Sequence, residues 1–363
     1  MIKIGYNDTS NHIGLKTHLE KPDRVNYVIN KLKQKFEKSV FLEKGTYLPI
    51  NKIECMDLIN NVHSTEHVDF LLNPKFPIIT CRNCTSKIKN KNMETLVDIV
   101  KENKPCKFCN KDLCSNNILA YIDTDTYFTP YTFDIVLEGV SVLKTFIDQI
   151  IRKEIFAGIA LIRPPGHHCC NKGSGFCIVN NAVIATRYAQ SCGLNKVLIL
   201  DIDFHHGDGT QQLITNENLP YKMIKNTHLI SIHGYGSHIY PGTGSAPNEN
   251  TTDEPENVLN IPINITVNPE SRKYANDKYY QSLITNKVVP HINKYNPDFI
   301  IVSLGLDAHK DDYLEGLNIT DDTYVMIAET LKSYDKPILF ILEGGYNPNV
   351  INSVVEKLIN VFS

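Results

Sequence analysis

The sequence predicts an α/β fold: an open, mostly parallel sheet flanked by helices, interrupted by a small Cys-rich insertion. Three observations lead there. Short apolar runs recur at 158–162 (GIALI), 196–200 (KVLIL), 228–232 (HLISI), 299–303 (FIIVS) and 337–342 (PILFIL). They do not alternate with polar residues, as expected of parallel strands covered on both faces. Helix-like stretches lie between them, and each run leads into polar, Gly-rich sequence, where open α/β sheets build their sites.

The elements follow in order. The opening MIKIGYNDTSNH is polar and lacks the apolar core of a signal peptide. The segment 73–117 breaks the strand–helix rhythm; it is rich in Lys, Asn and Cys and reads as an insertion within a single domain spanning 1–363. The stretch 132–153 carries a helical stripe of Phe133, Val136, Leu137, Val140, Leu143, Phe146, Ile147 and Ile150. Stretches 180–192 and 321–333 also read as helices.

Composition bounds the function. Hydrophobic residues make up 42% and charged residues 21% of 363, which excludes a disordered or fibrous chain. Net charge is −3, so no direct nucleic-acid binding is expected from the surface as a whole, although a local basic patch remains compatible with it. No run of about 18 apolar residues occurs, so no membrane span is expected. Without a secretory signal the chain reads as intracellular, cytoplasm and nucleus undistinguished, and its ten cysteines read as thiols or metal ligands.

The strand ends carry the chemistry. In Asp201-Ile202-Asp203-Phe204-His205, residues two apart share one face of an extended chain, so Asp203 and His205 can meet one metal with Asp201 behind them. Asp307, after another strand, can supply a third ligand. Two carboxylates and an imidazole suit a catalytic zinc, and equally iron, cobalt or manganese. His167 and His168 follow Arg163-Pro164-Pro165-Gly166, a turn able to aim both at one cleft. One is then a general base and the other an acid or electrostatic partner, with Asp201 and Asp208 to fix their tautomers. Tyr346, in Glu343-Gly344-Gly345-Tyr346-Asn347, can donate a hydrogen bond to a developing oxyanion. The combination is equipment for hydrolysing an amide or ester.

These pieces resemble the zinc-dependent histone deacetylases, within the arginase–deacetylase superfamily. The matching segments are His18-x-Glu20-x-Pro22-x-Arg24, RPPGHH, 173–181 (GSGFCIVNN), DIDFHHGDGT, 241–244 (PGTG), LGLDAH and EGGYN. Their style is similar to the class II and acetylpolyamine amidohydrolase branches. The resemblance implies one catalytic zinc on Asp203, His205 and Asp307, with His167, His168, Asp201, Asp208 and Tyr346 as the catalytic set. It implies that Phe176, Gly175, Tyr240 and Leu314 line an acyl-lysine tunnel and that Arg24 lies near an inner acetate pocket. A structural potassium ion is implied near Asp201, Asp203, His205 and Ser231. The implied substrate is an acetylated protein, with a place in chromatin regulation. An acetylpolyamine and a catalytically silent scaffold are the alternatives, and the oligomeric state is open. Leu314 occupies the position of an acidic polyamine gate, with Glu315 one step beyond. Ala308-His309 after Asp307 removes the second D-x-D of arginases.

Within the insertion, Cys81-x₂-Cys84 and Cys106-x₂-Cys109 form two knuckles 21 residues apart, the pattern of a second, structural zinc ion in a ribbon-like fold. Cys114 is a substitute ligand. Cys55 and Cys192 read as core.

Overall fold

The computed structural model describes residues 1–102, 104–215, 226–246, 255–265, 270–314 and 316–363; Glu315 lies outside them. The strands, in chain order, are β1 (Ile2–Tyr6), β2 (Ile78–Cys81), β3 (Lys87–Lys89), β4 (Ile118–Tyr121), β5 (Tyr127–Phe128), β6 (Ala157–Leu161), β7 (Val197–Asp201), β8 (Thr227–Tyr235), β9 (Val258–Asn264), β10 (Phe299–Leu304) and β11 (Ile338–Leu342).

Seven of them form one sheet in the order β1-β6-β11-β10-β7-β8-β9, every neighbouring pair parallel. The apolar runs are continuous because both faces are buried. Ile159, Leu198, Leu200, Ile300 and Phe340 point into one core, against helices Asp23–Lys35, Asp321–Lys332 and Pro348–Phe362. Their neighbours Ala160, Val197, Ile199, Ile301 and Leu339 point into the other, against helices Thr132–Ile151 and Asn181–Ser191. Period-two alternation therefore divides residues between two cores, not between core and solvent. The expected open parallel sheet flanked by helices is the observed one.

Of this sheet's seven strands, the apolar runs do not mark β1 and β9, and both are its edges. A polar residue interrupts the apolar run in each, Lys3 in β1 and Asn260 in β9, and β9 also carries Pro262. Proline is tolerated at an edge because it withholds no bond from an inner ladder.

The segment 73–117 supplies β2, β3 and helix Leu96–Lys101. With β4 and β5 it forms a small antiparallel sheet, β3-β2-β4-β5. Phe76, Ile79, Leu96, Ile99 and Ile118 join the same core as helix Thr132–Ile151, so the segment packs onto the main body through its apolar side.

Buried histidines brace this architecture and make it acid-sensitive. Burial pushes His12 down to about 3, against the opposing pull of Glu20. Burial, with His67 alongside, also pushes His63 down to about 3. The unfolded chain protonates both near pH 6.5, the fold only near 3. Stability is thus complete above about pH 6.5 and is lost as the pH falls below it. The slope approaches about 1.4 kcal/mol per unit for each histidine only well below 6.5, so the pair removes roughly 2 kcal/mol between pH 6.5 and 5.5. Urea midpoints at pH 7.0 and 5.5 measure this; equal midpoints would refute it.

Candidate active site

Four adjacent inner strands, β6, β11, β10 and β7, discharge into one crevice at their carboxyl ends. β7 delivers Asp203 and His205, β10 delivers Asp307, β6 the histidine pair and β11 Tyr346. Both oxygens of Asp201 are used internally: Oδ1 accepts from the Asp203 N–H at 3.1 Å and Oδ2 from His167 Nδ1 at 3.1 Å.

Asp203, His205 and Asp307 converge, their ligand atoms all within 4.8 Å of one another. His205 Nδ1 is 3.1 Å from Asp203 Oδ1 and 3.0 Å from Asp307 Oδ2. Burial opposes charging of His205, yet the two carboxylates push it up to about 10. Burial and the charge of Asp203 raise Asp307 to about 6. Oδ2 of Asp307 is buried without a hydrogen-bond donor. Gly344 lets the backbone lie against this pair, since a Cβ there would meet Asp203 Oδ2 and Asp307 Oδ2 at 2.5 Å. Two buried carboxylates against one imidazole, with one oxygen that makes no hydrogen bond and faces only the His205 ring, fit a divalent cation.

The RPPGHH turn is held from below by Glu343, whose Oε2 accepts from the Gly166 N–H at 2.6 Å and the His167 N–H at 3.1 Å. The two rings lie 4.0 Å apart, so one turn aims both into the crevice. Each turns Nδ1 to its own carboxylate, His167 to Asp201 and His168 to Asp208 at 2.7 Å. Nε2 of His167 lies 3.8 Å from Asp203. The environments push the pair apart. Burial would lower His167, but Asp203 and Asp201 hold it well above the usual histidine range. Burial and the neighbouring His167 push His168 down to about 3.

Tyr346 is buried, and burial keeps its hydroxyl protonated, well above the usual tyrosine value. Gly345, at φ +109, makes the turn before it, and Asn347 caps the following helix through the Asn349 N–H. Asp312 Oδ2 accepts from the Tyr346 N–H at 2.6 Å and the Asn347 N–H at 2.8 Å, while its Oδ1 holds the Leu314 N–H at 3.1 Å. The Arg24 guanidinium lies 4.7 Å from the centre of the Tyr346 ring and donates to the carbonyls of Gly345 and Glu343. It therefore braces the tyrosine loop, a role its place in His18-x-Glu20-x-Pro22-x-Arg24 did not disclose.

Around this centre, Phe176 packs edge-on to Tyr346 at 6.0 Å and to His18 at 4.8 Å. Tyr240 stands edge-on to His168 at 4.9 Å and hydrogen-bonds Ser174 through its hydroxyl. Gly175 separates the two walls: it has φ +52, and a Cβ on it would sit 2.4 Å from His168 Cδ2. Ser231 is buried beside Asp201 on β8, its hydroxyl shared with His233 at 2.9 Å.

Several supporting residues have no role assigned by the sequence. Glu343 and Asp312 are two; a buried acid at a strand end was the available signal for the first. Glu20 is a third. It is fully buried and pairs with Arg163 (Nη2 to Oε2, 2.6 Å), Arg24 (3.4 Å) and the Tyr127 hydroxyl (3.0 Å). His63, His67 and Cys169 also cluster, but His63 exchanges both ring nitrogens with backbone, Nδ1 with Cys170 O and Nε2 with the Asn180 N–H. That group is a clamp on the tunnel-wall loop and has no free lone pair on His63 for a metal.

In the insertion, Cys81, Cys84, Cys106 and Cys109 meet in one cluster. Sγ separations are 3.7 Å for Cys81–Cys109 and 3.8 Å for Cys84–Cys106. Zn–S bonds of about 2.3 Å place tetrahedral sulfurs about 3.8 Å apart, so the spacing fits zinc. The two knuckles are alike: each is followed by a residue in the left-handed region, Thr85 at φ 57 and Asn110 at φ 55. Cys114 is exposed and outside the cluster, which corrects its reading as a substitute ligand. Cys192 is half-exposed rather than core.

Such a crevice fits a hydrolase of the deacetylase kind. Residues 18–362 match the histone deacetylase domain, and the chain belongs to that family. It is similar to Histone deacetylase 15 of Arabidopsis thaliana, 29% identical over 348 residues, covering 95% of this chain and 52% of that protein. It is also similar to an uncharacterized protein of Synechocystis sp., 35% identical over 243 residues, covering 65% of this chain and 72% of the relative. The crystal structure of the HDA15 HD domain superposes with a TM-score of 0.74 at 26% identity, over 99% of this chain and 87% of that one. The chain thus spans about half the length of the full plant relative. Among the described residues, no helix is long and apolar enough to cross a membrane.

Proposed function

We propose that this protein is a zinc-dependent amidohydrolase that removes acetyl groups from lysine side chains of proteins. The observation that carries the reading is the facing arrangement of the Asp203–His205–Asp307 trio and two histidines, each anchored to its own carboxylate. Asp203, His205 and Asp307 would hold the ion, which when bound supplies a Lewis acid for the acetamide carbonyl and for water. His168, held neutral by its surroundings, takes the proton of the attacking water and passes it to the leaving amine. His167, charged beside Asp201, stabilises negative charge developing in front of it. Tyr346 donates its hydroxyl to the developing oxyanion. Phe176 and Tyr240 flank the approach, their flat walls matching the aliphatic stem of a lysine. Leu314 favours a protein substrate, because it adds no negative charge to attract a polyamine. The Cys₄ cluster takes a second, structural zinc.

The test is an assay on an acetyl-lysine peptide and on acetylspermidine, side by side, with Tyr346→Phe as control. Peptide turnover is expected, with kcat reduced about 10²- to 10³-fold in the variant and KM little changed, the range for losing one oxyanion donor. Turnover of acetylspermidine alone would move the assignment to polyamines. No turnover of either, with zinc bound, would leave a scaffold.

A further inference from the structure

Net charge hides an uneven distribution. The segment 73–117 carries nine Lys and Arg against four Asp and Glu, a net +5; the whole chain is −3, so everything outside the segment is −8. The basic residues are presented outward. Lys87, Lys89, Lys91, Lys104, Lys107 and Lys111 are all exposed. Lys104 pairs with Glu102 at 2.9 Å, and the other five have no acidic partner among the described residues.

The second knuckle adds an aromatic. Leu113 N–H bonds to Lys104 O at 3.0 Å and Cys106 N–H to Lys111 O at 2.8 Å, closing 104–113 into a tight hairpin. Phe108 sits at its tip, 66% exposed, between Lys107 and Lys111. The Cys cluster ties this tip to the first knuckle, from which β3 runs with Lys87 and Lys89 on one face. Phe108 takes no part in the core that Phe76, Ile79 and Leu96 join.

We propose that the two-knuckle surface binds single-stranded nucleic acid, with Phe108 as a base-stacking platform and the surrounding lysines on the phosphates. A flat apolar face among unpaired cations matches a strand whose bases are splayed and whose backbone is anionic. An acidic polypeptide would use the lysines but leave Phe108 without a partner. The surface is separate from the hydrolytic crevice, and the inference stands whether or not the acetyl-lysine assignment holds.

Fluorescence anisotropy tests it, using the full zinc-loaded chain with labelled 15-nucleotide oligo-U RNA and oligo-dT DNA at 50 to 200 mM salt. Binding is expected to weaken with salt, log K falling by about 0.7 per phosphate contact for each decade. Phe108→Ala should weaken it about 5- to 150-fold, the range for a lost base stack. Lys87→Ala with Lys89→Ala should flatten the salt dependence by about one contact or more. Both variants should keep wild-type zinc content and melting temperature, which separates lost contact from lost fold. No binding of either strand at 50 mM salt would overturn the proposal. So would binding that Phe108→Ala leaves unchanged and that poly-glutamate displaces, which would reassign the surface to acidic proteins.

Discussion

Asp307→Ala is expected to lose one of two bound zinc ions and at least about 10³-fold of deacetylase turnover, the several kilocalories a metal supplies to such a step. The fold should survive. Asp307 follows β10 at its carboxyl end, and apart from the Phe204 N–H its oxygens face only the cluster. Removing it also removes one of two buried like charges. Cys81→Ser with Cys84→Ser should do the converse: one zinc is lost, the active-site ion stays, and the melting temperature falls because a Cys₄ site contributes folding energy directly. Metal counting on wild type and both variants measures this. A wild type with one zinc, or an Asp307→Ala protein that retains two, would refute the two-site arrangement.

Glu20→Ala is expected to destabilise the fold by about 3–5 kcal/mol, the cost of leaving buried cations unpaired. That is a large share of a typical stability of about 5–15 kcal/mol. Arg163 and Arg24 are both fully buried, and Glu20 is the carboxylate between them. Its own carboxyl is held well below the usual range: burial opposes ionisation, and Arg163 overcomes it by charge and hydrogen bonding. The loss should reach catalysis as well, because Arg24 braces the Tyr346 loop through Gly345 and Glu343. Glu20→Gln keeps one accepting oxygen but turns an NH2 donor toward donors of Arg163, Arg24 or Tyr127 and removes the charge, so it should recover only part of the loss. Denaturant midpoints decide: a loss under about 1 kcal/mol for Glu20→Ala would show that the cluster contributes little.

Much of the centre was legible because it is local. Asp201, Asp203 and His205 lie two residues apart after a buried strand, and the period of an extended chain puts them on one side. Strand ends also disclosed Asp307 and Tyr346, since β-rich runs followed by Gly and charge mark the carboxyl edge of a parallel sheet. The four cysteines were readable from knuckle spacing alone. Glu20 and Arg163 are 143 residues apart, and nothing in either neighbourhood names the other. Glu343 was quoted within its segment, but its partners at Gly166 and His167 are 177 and 176 residues away.

The sequence by itself determined the layered α/β fold, the grouping of Asp203, His205 and Asp307, the histidine pair with its carboxylates, and the grouping of the four cysteines. These rest on short-range periodicity and on the chemistry of residue types, both of which survive without coordinates. Only the tertiary structure decided that β1 and β9 close the sheet at its edges. Only there does Arg24 brace the tyrosine loop, Asp312 link that loop to Leu314, Cys114 stand apart from the cluster, and Phe108 stand exposed at the tip of its hairpin. Each depends on pairing across many residues or on which side chains face solvent. Chain order does not encode either until packing has chosen one arrangement.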